Sequence, residues 1–210
     1  FLVILLLKKN VRWWQFFLVP AVYVITCIPA VLLGSSWLDV LTIYLRQTSL
    51  FSQLTVNAPN LYIFVPWEVT EPALRIGFTV AFCSLAVWII FSALDKREIT
   101  LERMVLLALI SVSLTPFVLP RMHERYFYPA DALSLIAAFF NPDLWIVPFA
   151  FQLSSGLASA VYLKGKPPEP VMYGAIINTV ILIVLIVYQF SRHTKPINAA
   201  IDQGGVEQEK

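Results

Sequence analysis

Long apolar runs separated by short polar breaks dominate this 210-residue chain. A bilayer core about 30 Å thick needs about 20 apolar residues per crossing helix. On that rule spans are predicted near 16–33, 74–94, 101–119, 144–163 and 171–190. A stretch at 1–7 runs straight into Lys8 and Lys9 and reads as the end of a span whose beginning is missing, which makes the chain the C-terminal portion of something longer. Residues 126–141 are apolar but would reach only about 24 Å as a helix, so they must thin the bilayer, be shielded by neighbours or re-enter. Asn141-Pro142-Asp143 predicts a tight turn after them, because Pro cannot continue a helix and Asn and Asp bond nearby backbone. Residues 126–163 then form a helical hairpin. The expected fold is an all-α polytopic helix bundle over 1–194, with about six to seven spans, followed by a disordered cytoplasmic tail at 195–210.

Between the first two full spans lies a long connector, 34–73. Within it Trp37 to Arg46 carries apolar residues at helical spacing beside a polar face, the pattern of an amphipathic helix lying on the membrane surface. Leu54-Thr55-Val56-Asn57-Ala58-Pro59-Asn60-Leu61-Tyr62 follows, and on spacing alone Asn-Ala-Pro-Asn is ordinary turn chemistry between apolar runs. Trp13, Trp14, Trp37, Trp67, Trp88 and Trp145 all fall near span ends, as expected for rings anchored among headgroups.

Composition supports a membrane protein: 59% of residues are hydrophobic, 13% are charged, and mean hydropathy is +0.75. The net charge of +2 and the lack of a basic stripe argue against a nucleic-acid partner. Cys27 and Cys83 sit inside apolar runs, as small buried thiols rather than disulfide or metal ligands. Lys8, Lys9, Arg12, Lys96, Arg97, Arg103, Arg192 and Lys195 collect on one side, which the positive-inside rule assigns to the cytoplasm. Residues 34–73, 120–129 and 164–170 then face outward.

The densest chemistry lies in that outer set. Pro120-Arg121-Met122-His123-Glu124-Arg125-Tyr126-Phe127-Tyr128-Pro129 holds four ionisable side chains between two prolines. Centring Arg121, Glu124 and Arg125 in lipid would cost about 8 to 10 kcal/mol in all, so the segment belongs at a membrane boundary. Pro120 suits the first position of a helix, which would stack Arg121 over Arg125. A shared anion would offset their repulsion, and guanidinium forks match phosphate oxygens. His123 would donate to the same anion or move a proton, and Glu124 would orient an arginine. Simple anchoring of Arg121 and Arg125 among lipid headgroups, with Glu124 paired to one of them, fits the charge pattern too. Asp131, one turn into the short apolar piece, is a further candidate because an ionisable group at that depth is functional by default. Glu68 and Glu71 flank a span and read as solvated, and His193 reads as a flank residue. No cofactor is evident, and a divalent metal has no support in the residues.

The Leu54–Tyr62 string, followed about sixty residues later by Pro120-Arg121-Met122-His123-Glu124-Arg125-Tyr126-Phe127, resembles the bacterial integral-membrane glycosyltransferases of the GT-C superfamily. Within it the chain looks like the mannosyltransferases related to the enzyme that adds the second mannose of glycosylphosphatidylinositol anchors. The resemblance implies a multi-pass protein of the bacterial plasma membrane. It implies transfer of a sugar from a polyprenyl-phosphate donor to an acceptor at the extracytoplasmic face. Arg121, His123 and Arg125 would hold the donor phosphate, supported by Glu124, Tyr126, Asn57 and Asn60. It also implies a catalytic acid in an earlier outer loop not contained in this sequence, so the chain alone is expected to be inactive. Two other readings use the same residues: a transporter or channel with a charged outer vestibule, and a non-catalytic membrane scaffold. The spans carry almost no ionisable group beyond Arg75 at an edge, which disfavours a coupled carrier. A scaffold would tolerate Arg125→Lys, whereas bidentate phosphate recognition would not.

Overall fold

The structure, a computed structural model, describes residues 1–50, 53–65, 71–165 and 169–191, with only the backbone of 44–50. It is an all-α bundle of the membrane type. Its helices are α1 (Leu2–Leu7), α2 (Leu18–Leu32), α3 (Trp37–Leu50), α4 (Glu71–Leu94), α5 (Leu101–Val118), α6 (Tyr128–Phe140), α7 (Ile146–Lys164) and α8 (Glu169–Phe190). Among the described residues, five segments are long and apolar enough to cross a bilayer: Trp13–Leu32, Glu71–Leu94, Leu101–Val118, Pro142–Lys164 and Glu169–Phe190. These match the five spans expected from hydropathy.

Among the described spans α5 lies deepest. Leu106, Leu107, Leu109 and Ile110 are all 0% exposed, as expected of a helix apolar on every face. Around it pack α4, α6 and α8, with α7 closing the far side against α6 and α8. The α7–α8 contact brings Ser154 against Gly174, and Ala158 and Val161 into one cluster with Val171 and Ala175, all buried. Lipid tails supply no hydrophobic drive between helices, so close approach through small residues and interhelical hydrogen bonds holds such pairs. Ser154 Oγ donates to the Gly174 carbonyl at 3.0 Å. A methyl group on Gly174 would meet Ser154 Oγ at 3.0 Å and Pro59 Cβ at 3.1 Å. Gly174→Val is therefore expected to lower stability by about 1 to 3 kcal/mol, read as a lower Tm in detergent, with Gly156→Ala, where a methyl group meets nothing within 4 Å, as the neutral control.

The short piece at 126–141 becomes α6, 13 residues and about 20 Å long. α5 and α7 pack against one side of it, while Leu135, Ile136 and Phe139 stay exposed. Its buried residues Ala130, Asp131, Ser134 and Ala137 form one helical face. The turn at Asn141 is present: Pro142–Leu144 forms a single 3-10 turn, and Asn141 Nδ2 points back to the Ala137 carbonyl at 3.4 Å. α6 and α7 thus make the expected hairpin.

Several expectations are corrected. Trp88 is no headgroup anchor: it is 5% exposed, and its Nε1 donates to Gln189 Oε1 at 3.0 Å, while Gln189 Nε2 donates to Ser92 Oγ at 2.8 Å. This buried polar chain ties α4 to α8. Trp13, Trp14, Trp37 and Trp145 are exposed near helix ends as expected. Cys27 is buried, but Cys83 faces outward from the bundle. The amphipathic stretch does form α3, and the Tyr23 hydroxyl donates to the Val40 carbonyl at 3.0 Å, so α3 leans back against α2. Gly34 (φ 101) makes the reversal between them, where a side chain would be strained. Trp67, Glu68, His193 and the tail at 195–210 lie outside the described residues.

At the end assigned to the cytoplasm, the polar groups of four helices converge. Asp95 accepts from Arg97 (Nη2 to Oδ2, 2.5 Å) and from Arg103. Arg97 also donates to the carbonyls of Ser191 (2.7 Å) and Gln189 (2.5 Å). Lys8 donates to the carbonyls of Asp95 and Arg97. The ends of α1, α4 and α8 and the start of α5 are thereby knotted together.

Candidate functional site

The opposite end of α5 organises the two motifs at 54–62 and 120–127. A helix leaves its last carbonyls without intrahelical donors, and here side chains from the 54–62 segment supply them. Asn60, 0% exposed, donates through Nδ2 to the carbonyls of Pro116 (3.4 Å) and Leu119 (3.5 Å). Its Oδ1 accepts the Tyr62 backbone N–H at 3.1 Å, starting a 3-10 turn over Leu61–Phe64. The Tyr62 hydroxyl shares its hydrogen between the carbonyls of Val118 (2.7 Å) and Gly77 (2.8 Å), bridging α5 and α4. From α8, Asn178 Nδ2 donates to the Pro59 carbonyl at 2.8 Å. The Asn-Ala-Pro-Asn segment is a cap on the bundle, more than an ordinary loop.

That cap carries a strand pair. Thr55–Val56 (β1) and Met122–His123 (β2) lie parallel, with Thr55 opposite Met122 and Val56 opposite His123. Asn57 adds a further bridge to His123, and the Arg121 N–H donates to the Leu54 carbonyl at 2.7 Å. The two motifs are thus one structural unit, though 66 positions separate Asn57 from His123.

This pairing replaces the helix expected from Pro120. Arg121 sits at φ 62 and Leu119 is extended, so no helical turn stacks Arg121 over Arg125. The physical reason is tertiary: the Arg121 N–H is taken by the Leu54 carbonyl of the neighbouring segment. Asn57, at φ 54, tolerates the left-handed region, whereas a bulky residue such as Arg121 is held there only by surrounding structure. Strained residues of this kind cluster at ligand sites.

Beyond β2, Glu124–Phe127 forms a 3-10 turn leading into α6. It buries Glu124 and Phe127 and turns Arg125 and Tyr126 outward. Tyr126 stands between two partners: the His123 ring meets it edge-on at 6.0 Å, and the Arg125 guanidinium lies 6.0 Å from its centroid. Burial and then the Arg125 charge hold the His123 imidazole below its ordinary pKa, against an opposing pull from Glu124. The neutral form of an imidazole carries one ring N–H that donates and one nitrogen that accepts.

Glu124 forms no ion pair with an arginine among the described residues, so it does not orient one directly there. It is 7% exposed, and its Oε2 is buried without a hydrogen-bond partner. Asn60 is wholly committed to the cap and positions the site from beneath. Asp131 is buried on α6 and accepts the Ser155 hydroxyl from α7 at 2.9 Å. The structure assigns it an interhelical bond within the bundle. Among the described residues no group of three or more His, Cys, Asp and Glu is gathered as a metal site would require.

Sequence reading missed Tyr62 and Asn178 as residues that hold the site. Asn178 had a signal, being a lone amide inside the 171–190 span, where polar side chains usually bond another element. Tyr62 had none, because its carbonyl partners lie on two other helices. No protein-family model matches this chain, and neither a curated protein nor a solved structure matches it, so its function rests on the chemistry of its own residues.

Proposed function

We propose that this chain is part of a membrane glycosyltransferase that moves a hexose, mannose by resemblance, from a polyprenyl-phosphate donor to an acceptor at the outer face of the bacterial plasma membrane. The single observation that carries the reading is the β1–β2 pairing. It joins the two motifs of the GT-C resemblance and sets His123, Tyr126 and Arg125 together at the outer end of α5.

The chemistry follows from what breaks. The bond between the sugar's anomeric carbon and the phosphate oxygen is cleaved, the acceptor oxygen takes its place on that carbon, and the acceptor's proton passes to a base. Negative charge grows on the departing phosphate, so donors fixed around it lower the barrier. Arg125, outward-facing, and Arg121, fixed by the strand pair, supply guanidinium groups suited to two phosphate oxygens each. His123 adds a ring N–H donor. Tyr126 limits the freedom of both His123 and Arg125, so less order must be imposed on binding.

Sugar transfer from a radiolabelled polyprenyl-phosphate sugar, measured in membranes holding the full-length protein, tests this. His123→Ala and Arg125→Lys are each expected to cut turnover about 10- to 1000-fold, as for loss of one fixed oxyanion donor. Full turnover in both variants would overturn the phosphate site.

A further inference from the structure

Among the described residues, the polar knot at the opposite end of the bundle borders two cavities. The first, about 530 Å³, is lined by the end of α1 and the α4–α5 connection, including Lys8, Asn10, Asp95, Lys96, Arg97 and Glu98. The second, about 560 Å³, is lined by Phe91, Leu94, Asp95, Arg97 and Phe190. Leu94, Asp95 and Arg97 belong to both. A polar chamber and an apolar groove therefore share one wall, at the depth where α1, α4 and α8 end.

The charges of the polar chamber favour an anion. Lys8, Lys96 and Arg97 face Asp95 and Glu98, and Arg103 stands behind Asp95 as a fourth cation. The Asp95 carboxylate is already taken by Arg97 and Arg103. Lys8 has no carboxylate within 4.0 Å among the described residues; its ammonium holds two carbonyls, leaving a third N–H. Burial, and then the charges of Arg103 and Arg97 against an opposing pull from Asp95, lower its pKa. Lys96 is exposed beside it.

We propose that this end binds one anionic phospholipid, with its phosphate against Lys8, Lys96 and Asn10 and an acyl chain along Phe91, Leu94 and Phe190. The shared wall separates a lipid from a free phosphate as the natural ligand, because Phe91 (61% exposed) and Leu94 (70% exposed) offer an apolar surface no inorganic ion would use. Basic pockets between span ends on the cytoplasmic side are suited to anionic headgroups. The site is separate from the outer-face motifs and stands or falls independently of them.

Native mass spectrometry of the full-length protein from nanodiscs of equal phosphatidylglycerol and phosphatidylcholine would count retained lipids. One phosphatidylglycerol is expected to remain bound, at least about tenfold over phosphatidylcholine, an advantage of about 1.4 kcal/mol. Lys96→Glu, at an exposed side chain, and Lys8→Gln should each cut that retention at least about fivefold, as removal of a headgroup-binding charge does. Should Lys8→Gln fail to fold, Lys96→Glu alone decides. Equal retention of the two lipids, or retention unchanged by Lys96→Glu, would overturn the site. A thermal shift with millimolar inorganic phosphate equal to that with phosphatidylglycerol would overturn the lipid assignment.

Discussion

Asn60→Asp is expected to destabilise the bundle by about 3 to 5 kcal/mol at pH 7, the cost of leaving a buried charge without its partner. Asn60 is fully buried, and its amide nitrogen serves the carbonyls at the end of α5. Aspartate would turn that donor into an acceptor, setting oxygen against oxygen in a dry site. A protonated carboxyl could still donate to one carbonyl, so the folded protein would hold the proton more tightly than the unfolded chain. The folded pKa is thus raised, and stability present below the unfolded value of about 3.9 is lost as pH rises through the folded one. Thermal unfolding in detergent across pH reads this directly: Tm should climb toward wild type in acid. A variant with wild-type Tm at pH 7 would show that Asn60 does not cap α5.

Asp95→Ala is expected to cost a similar 3 to 5 kcal/mol, roughly, because it takes the carboxylate from a buried guanidinium group. The Arg103 side chain is only 3% exposed, so its charge is the one left stranded, whereas Arg97 is 33% exposed and keeps the carbonyls of Ser191 and Gln189. Burial pushes the Asp95 carboxyl up, but hydrogen bonds from Arg97 and the charges of Arg103 and Arg97 more than reverse this, holding it at about 2. A depressed carboxylate pKa contributes stability above the unfolded value and loses it as pH falls through the folded one. The wild type should therefore lose about 2 kcal/mol between pH 4 and pH 2 that Asp95→Ala does not lose. Asp95→Asn, which keeps an acceptor but no charge, should fall between the two.

What the sequence disclosed tracks the range of the forces involved. Spans depend on the summed hydropathy of about 20 neighbours, so α4, α5, α7 and α8 were readable to within a few residues. The hairpin at Asn141-Pro142 was readable because turn chemistry is local. The conformation at Pro120 was not. A proline followed by charged residues satisfies every local rule for a helix start, yet the competing hydrogen bond comes from Leu54. Positive-inside counting placed Lys8, Arg97 and Arg103 on one side, but their convergence on Asp95 depends on where four helices end. Trp88 was misread for a related reason: near a helix end an indole looks like an anchor, and only Gln189, 101 positions away, reveals it as an interior donor. At the site, the charged residues were legible as a cluster from composition alone. Their support by Asn60, Tyr62 and Asn178 required the fold.

The affinity of the purified full-length protein for polyprenyl phosphate, against polyprenol of the same length, tests the phosphate platform most directly. Two hydrocarbon chains alike in every contact differ only in the anion, so any preference reports the headgroup. The account predicts at least about tenfold tighter binding of the phosphate, about 1.4 kcal/mol, with most of that advantage lost in Arg125→Lys at unchanged Tm. Equal affinity for the two lipids, or a preference undiminished in both Arg125→Lys and His123→Ala, would contradict it.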